Sequence, residues 1–185
     1  MLTVKQFMIK RNIKKLTLKV IAFILLLIIS PLFFLISVIL CLYSKQKPKI
    51  IFKQTRIGIH KKEFTIYKFK TMEKDCITNL GKLLRKTGLD EIPQLINIIK
   101  GEMSFVGPRP LMIDDIMRLG WTEKKHQVRW SVKPGITGNA QLQKTCNADL
   151  SFANDLHYVK NKSLYLDLSI FTRSIFIPIF GKKRI

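Results

Sequence analysis

Residues 85 to 110 read RKTGLDEIPQLINIIKGEMSFVGPRP, with the acids Asp90 and Glu91 adjacent near the start. Pro93 has no N–H and fits only the first turn of a helix, so the predicted start lies near Leu89 or Asp90. An earlier start, capped by Thr87 with Asp90 at the third position, would push Pro93 too deep. Leu95, Ile96, Ile98 and Ile99 then form the buried face, and Gly101 is the C-terminal stop. Both carboxylates fall in or beside the first turn, where the helix dipole favours their ionised form. An ionised Asp there suits a nucleophile or a metal ligand. Glu91, about 100° further round the helix, can share a cation with it but cannot copy its role. Acids at a helix start are also ordinary dipole partners, so the pair alone decides nothing. Residues 101–110 add two glycines and two prolines around Arg109, a stiff connector that holds one guanidinium near the acids.

The chain has 185 residues, enough for one ordinary domain and an appendage. Its 33 Lys and Arg against 12 Asp and Glu leave a net charge of +21, and no acid precedes Glu63. Such an excess suits nucleic acid or an anionic membrane surface. Here it flanks an apolar segment, which favours membrane lipid, and no nucleic-acid partner is expected. Cys41, Cys76 and Cys146 share no metal-ligand spacing, and their odd number argues against a disulfide framework, so the body is read as facing a reducing cytosol. His60, His126 and His157 are scattered, and no nucleophile-elbow, P-loop or dinucleotide-binding string occurs.

Val20 to Leu42 is an uncharged run of 23 residues interrupted by Ser30-Pro31. At about 1.5 Å per residue it is long enough to cross a roughly 30 Å hydrocarbon core. It is too long for a signal peptide, and no small-residue cleavage site follows. Two arrangements fit: a spanning helix kinked at Pro31, or a helix broken at Ser30-Pro31 that re-enters the same face. Lys10, Arg11, Lys14, Lys15 and Lys19 precede the run, and Lys45, Lys47, Lys49 and Lys53 follow it. Positive charge marks the cytoplasmic side, so two basic flanks favour re-entry. Re-entrant backbone is rare, however, because the carbonyl freed by the proline needs a partner such as the Ser30 hydroxyl. The expected division is residues 1–43 as membrane helix with basic flank and 44–185 as a cytosolic domain.

In that domain, residues 50–72 predict a hairpin, with strands at Ile50 to Phe52 and Phe64 to Phe69 and a turn over Gly58 to Lys62. Arg56, Lys68 and Lys70 decorate it. Residues 76–86 predict a helix with Leu80, Leu83 and Leu84 inward and Lys82, Arg85 and Lys86 outward. Asp114 to Lys125 predict another, contacting the core through Ile116, Leu119 and Trp121. Pro134, Gly135 and Gly138 make a tight loop whose amides could line an anion site, although turn chemistry alone gives the same string. Residues 152–176 follow a helical period through Phe152, Leu156, Val159, Leu164, Leu168 and Phe171. The apolar tail with its basic end suits an interfacial segment or a packed terminal helix. The fold class is mixed α/β, mainly helical.

Six strings in this order resemble the bacterial sugar transferases, small monotopic polyprenyl-phosphate phosphoglycosyl transferases. They are Phe52 to Gly58, Tyr67 to Met72, Leu89 to Leu95, Met103 to Pro110, Lys133 to Gly138, and the pattern Asp155, Tyr158 to Asn161, Ser163 and Asp167. The resemblance runs from the membrane helix to Asp167 and implies a re-entrant helix. It also implies transfer of a sugar 1-phosphate from a nucleotide diphosphate sugar, as UDP-sugar, to polyprenyl (undecaprenyl) phosphate, with release of UMP. On that likeness Asp90 is the nucleophile forming a covalent phosphosugar, and Glu91 is its partner around Mg²⁺. Arg109, Arg85, Lys68 and Lys70 are the expected phosphate-binding residues. Two polyanions must meet in such a reaction, so a metal and several cations have to offset their repulsion. The implied place is the cytoplasmic face of the bacterial inner membrane, in the first membrane step of a surface glycan. The chain departs from the family pattern at Asn139, where Trp is usual. It departs again at 143–147, which is shorter and lacks the usual Arg, and in the brief segment between Met72 and Leu80.

Two other classes compete. A non-catalytic basic membrane protein explains the charge but not the acid pair beside Arg109. A glycosyltransferase that moves the sugar without its phosphate would release nucleoside diphosphate instead.

Overall fold

A proline inside an apolar helix leaves one carbonyl without an amide, and something must take it. The computed structural model describes residues 4–43, 50–143 and 147–180. In it, helix α1 runs without interruption from Val4–Tyr43 with Pro31 inside. The carbonyl that Pro31 cannot serve belongs to Leu27, and the Ser30 hydroxyl donates to it at 2.7 Å. The break expected at Ser30-Pro31 therefore does not end the helix, because the neighbouring serine replaces the missing donor. Lys45, Lys47, Lys49, Cys146 and residues 181–185 lie outside the described residues, as do the side chains of Lys10, Arg11, Lys14 and Lys15.

Both halves of α1 are seated on the rest of the chain. Before the proline, Ala22, Leu25, Leu26 and Ile29 pack with Phe64, Ile66, Leu95, Ile98 and Met103. After it, Phe33, Ile36 and Leu40 pack with Phe69, Leu84 and Ile92, and the Phe33 and Phe69 rings lie 4.8 Å apart. The opposite face is exposed and apolar, including Phe23, Ile24, Leu27, Ile28, Phe34 and Leu35. Leu16–Tyr43 reaches a mean hydropathy of 3.0, and α1 is the one helix among the described residues long and apolar enough to cross a membrane.

The predicted hairpin is present, with a longer first strand. β1 (Ile51–Ile57) pairs antiparallel with β2 (Glu63–Phe69), placing Phe52 opposite Lys68 and Arg56 opposite Phe64. The short strands β3 (Met72–Glu73) and β4 (Cys76–Ile77) form a second antiparallel pair. Thr78 caps α2 (Asn79–Thr87), its hydroxyl accepting from the Gly81 amide at 2.9 Å. Leu84 points inward as expected, whereas Leu83 is exposed, one helical step from the buried face.

The decisive stretch begins later than Thr87, as expected, but Pro93 lies past its first turn, in a 3₁₀ run that precedes the α-helix. The chain turns at Gly88, makes a 3₁₀ turn over Leu89–Gln94 that contains Pro93, and becomes α3 at Leu95–Lys100. Gly101 ends α3 with φ of 84°, a left-handed conformation that glycine adopts at little cost. Asn97 holds α3 to the hairpin. Its Nδ2 donates to the Thr65 carbonyl and to Glu102 Oε2, both at 2.7 Å, and its Oδ1 accepts from the Tyr67 amide at 3.3 Å.

β5 (Ser104–Val106) and β6 (Gly135–Thr137) form a parallel pair. Their backbones approach so closely that a Cβ at Gly135 would lie 2.1 Å from the Gly107 nitrogen. The Gly135 amide donates to the Pro108 carbonyl, and the Gly107 amide donates to Thr137. The Gly135 amide is thus committed to pairing and does not line an anion nest.

α4 (Ile113–Arg118) is shorter than expected, because Gly120 turns the chain at φ of 68° before a 3₁₀ run over Lys124–Ser131. Its predicted contacts, Ile116, Leu119 and Trp121, do share one cluster with Trp130. After α5 (Asn139–Leu142), the single helix expected over 152–176 is two: α6 (Ala148–Asn161) and α7 (Leu164–Phe180). Ser163 starts α7, its hydroxyl accepting from the Leu166 amide at 3.2 Å. The inward face is also rotated from the prediction. Leu164 and Leu168 are exposed, and Asp155, Tyr158 and Ile170 are buried in their place.

Candidate active site

Strand alternation aims Lys68 at the acid turn. It shares a face of β2 with Phe64 and Ile66, which are buried in the core, and its stem extends that face to the edge. Lys68 Nζ reaches Glu91 Oε1 at 2.9 Å, with both side chains largely withdrawn from water. The two stand at the wall of a shallow, solvent-open cleft where Arg56, Gln94, Arg109 and Gln141 also converge. Asp90 lies on the same 3₁₀ turn and is 8% exposed.

Arg109 projects from a loop whose backbone is held at every step. Four successive carbonyls accept hydrogen bonds: Pro108 from the Gly135 amide, Arg109 from Arg129 Nη2, Pro110 from Arg56 Nη1 and Leu111 from the Ile57 amide. Prolines on both sides of Arg109 fix φ as well. The stiff connector read from the sequence is therefore present, and its guanidinium lines the cleft.

Arg56, read as surface decoration, belongs inside. Its guanidinium bonds Gln54 and the Pro110 carbonyl and pairs with Asp115 at 3.4 Å. Burial pushes its pKa below the ordinary value and the charge of Arg109 pushes it further, while Asp115 and Glu91 pull it back. Arg56 Nε and Gln141 Oε1 are buried with no hydrogen-bond partner among the described residues. A cleft that gathers Arg56, Lys68 and Arg109 around one carboxylate has a surplus of positive charge suited to a polyanion. Gln54 and Arg56 lie two apart on one strand face, and that spacing was the signal available for finding them.

The other expected cations, Arg85 and Lys70, are not among the residues that line this cleft. Arg85 Nε donates to the Thr71 hydroxyl at 2.7 Å, tying α2 to the end of the hairpin. Lys70 is half-buried just after β2, its amide donating to the Ile50 carbonyl, and is not among the residues lining the cleft. Asn139, the departure noted in the sequence, bonds Asn154 across α5 and α6. Within 143–147, residues 144–146 lie outside the described residues.

Residues 9–181 match the family of bacterial sugar transferases. The chain belongs to that family. It is 44% identical to the uncharacterized sugar transferase EpsL of Bacillus subtilis (strain 168), over 65% of this chain and 65% of the relative. It is 32% identical to the UDP-glucose:undecaprenyl-phosphate glucose-1-phosphate transferase of Klebsiella pneumoniae, over 88% and 39%. A third relative, the UDP-N-acetylgalactosamine-undecaprenyl-phosphate N-acetylgalactosaminephosphotransferase of Aeromonas hydrophila, is 33% identical over 79% and 38%. This bacterial sugar transferase thus spans less than two thirds of the length of these three relatives.

Two carboxylates on one turn are hard oxygen donors of the kind that hold Mg²⁺ together with substrate phosphate. Glu91 faces the cleft, paired with Lys68, and Asp90 is its chain neighbour, so the turn offers two carboxylates of that donor type. Among the described residues no group of three or more His, Cys, Asp and Glu gathers as a metal cluster.

Proposed function

We propose that the chain is a phosphoglycosyl transferase moving a sugar 1-phosphate from a UDP-sugar to undecaprenyl phosphate. The observation that carries this reading is Glu91, next to Asp90, facing a cleft lined by Arg56, Lys68 and Arg109. A nucleotide diphosphate sugar and a lipid phosphate repel each other, and three cations lining one cleft offset that repulsion. The named relatives in Klebsiella and Aeromonas take UDP-sugars and the same lipid phosphate, which supports this choice of donor and acceptor.

In the proposed chemistry an Asp90 carboxylate oxygen attacks the phosphorus that carries the sugar. The bond from that phosphorus to the bridging oxygen breaks, and UMP leaves with the electron pair. An oxygen of the lipid phosphate then attacks the same phosphorus, releasing Asp90 and giving polyprenyl-diphosphate sugar. Splitting one transfer between two polyanions into two displacements lowers each barrier. Asp90 and Glu91 would hold Mg²⁺, which when bound neutralises charge on the phosphates. Arg109 and Lys68 orient the diphosphate from the protein side.

The membrane arrangement belongs to the same proposal. α1 lies within one leaflet with both ends on the cytoplasmic side of the inner membrane, keeping the cleft at headgroup depth in the first membrane step of a surface glycan. The seating of one domain against both halves of α1 supports this, because a helix crossing the bilayer would carry part of that domain into hydrocarbon.

The test is a panel of nucleotide sugars mixed with membranes containing the protein and undecaprenyl phosphate. Release of UMP is expected. Release of UDP would establish simple glycosyl transfer, and no nucleotide release with any donor would remove the enzymatic reading. With lipid phosphate withheld, label from a sugar-labelled donor should stay on the wild-type chain and not on Asp90→Asn.

A further inference from the structure

Arg129 is 3% exposed and held between two indoles, its Cζ lying 5.2 Å from the Trp121 ring and 5.7 Å from that of Trp130. Its Nε donates to Asp155 Oδ2 at 2.7 Å, and Asp155 is equally buried. Its Nη2 donates to the backbone carbonyl of Arg109, the residue whose guanidinium lines the cleft. One guanidinium therefore joins α6 to the loop that carries a substrate-facing cation. A buried ion pair is weak grounds for a stability role, since well-packed apolar residues of similar volume often serve as well. What an apolar replacement could not supply is the directed hydrogen bond to Arg109.

Resting on the reading of this cleft as the phosphate site, we propose that Arg129, aimed by Asp155, is a positioning residue that sets where the Arg109 guanidinium stands. The rigid fork of arginine suits this task, because two of its nitrogens can serve a carboxylate and a carbonyl at once in fixed geometry. A lysine in its place has one ammonium on a flexible stem and cannot reproduce both bonds in that geometry. Trp121 and Trp130 restrict the guanidinium plane, so its direction is set by packing as well as by charge. The neighbouring carbonyls, Pro108, Pro110 and Leu111, are held by other donors, so the Arg129 bond fixes the peptide that directly follows the Arg109 Cα, as Gly135 fixes the one before it.

The experiment exploits the fact that Arg129 holds a backbone atom. Arg109→Ala removes the guanidinium and keeps the carbonyl, so it preserves the Arg129 bond and deletes only what that bond positions. Arg129→Lys and Asp155→Asn are each made in the wild-type and in the Arg109→Ala background, with kcat, KM for the UDP-sugar and Tm measured for all. In the wild-type background each should cost about tenfold in kcat/KM, carried mainly by KM. In the Arg109→Ala background the further loss should be less than about twofold, the non-additivity expected of residues acting through one group. The Tm shifts should be equal in both backgrounds, which separates positioning from a general loss of fold. Equal fold-losses in the two backgrounds would overturn the proposal. Asp155→Asn keeps side-chain shape and an acceptor oxygen, so it carries the test if Arg129→Lys does not fold. No UMP release by the wild type with any donor would instead overturn the underlying reading of the cleft, a result separate from additivity.

Discussion

Lys68 Nζ and Glu91 Oε1 stand 2.9 Å apart, one on the hairpin and the other on the turn between α2 and α3. The pair draws the acid turn against β2, and the Asn97 bonds to Thr65 and Tyr67 fix the same two elements further along. On the proposed reading, a substrate phosphate entering the cleft would meet a carboxylate already screened by a cation. The ammonium is thereby within reach of both the protein carboxylate and the incoming anion.

Loss of the acid charges is expected to be severe and distinguishable between the two residues. Asp90→Asn should lower UMP release by more than about a hundredfold, or at least roughly 2.7 kcal/mol of barrier. Glu91→Gln should also be impaired, with part of its activity regained at raised Mg²⁺. Titration of initial rate against Mg²⁺ in both variants makes the check. An Asp90→Asn variant within about tenfold of the parent would remove Asp90 as nucleophile.

Arg56 should behave as a cleft residue. Arg56→Lys keeps the charge but loses the geometry that spans Gln54 and the Pro110 carbonyl, so KM for the UDP-sugar should rise about tenfold, as for the loss of one directed charged bond. Steady-state kinetics against UDP-sugar concentration, with Tm measured alongside, decide this. An unchanged KM would return Arg56 to a purely structural role.

Tyr158 tests the packing beneath the loop. Its single hydroxyl proton is shared between the Val106 carbonyl at 3.0 Å and Asp167 Oδ1 at 2.7 Å, and the ring is buried. Tyr158→Phe should destabilise the fold by about 1–3 kcal/mol. Burial, with Asp167 adding to it, holds the phenol above its ordinary pKa of 10.0. Because the folded value is the higher one, the stabilisation is intact below about pH 10 and is lost as pH rises through and beyond it. Denaturant unfolding at neutral and alkaline pH should show a parent slope that is shallower in Tyr158→Phe.

The serine that supports Pro31 offers a fourth test. Ser30→Ala leaves the Leu27 carbonyl without its 2.7 Å donor, and Pro31→Ala restores a backbone amide to it. Single cysteines at Lys10 and Lys47, in a chain without Cys41, Cys76 and Cys146, report the side on which each flank lies. Neither should react with a membrane-impermeant thiol reagent in intact cells. Pro31→Ala should expose one flank in a fraction of molecules, with activity falling by that fraction. Labelling of one flank in the parent would establish a spanning helix.

The parts of this fold that were legible in advance are those set by local chemistry. Pro93 and Gly101 flank α3 on its two sides because one lacks a donor and the other tolerates φ of 84°. Ser30 was identified as a partner for the carbonyl freed by Pro31 for the same reason. The errors arose where burial is decided by partners distant in sequence. Asp155 and Tyr158 on α6 are inside because Arg129 and Val106 receive them, while on the separate helix α7 Ile170 is buried and the apolar Leu164 and Leu168 face outward. Arg56 read as surface until Asp115 and the Pro110 carbonyl, more than 50 positions later, closed around it. At Gly135 the tight turn was legible, but the partner of its amide was not, because that partner is the Pro108 carbonyl in a loop 27 positions earlier.

The seating of α1 has a practical consequence for handling the protein. Ala22 and Ile36 complete two clusters whose remaining members, among them Ile98, Met103, Phe69 and Leu84, come from the body of the chain. Cutting after Tyr43 to obtain a water-soluble fragment would strip one wall from each cluster and leave those side chains facing solvent. Such a fragment should self-associate, and dissolving the intact chain calls for a detergent that coats the outer stripe of α1 while sparing its inner one. For this protein, solubilisation and unfolding compete for the same helix.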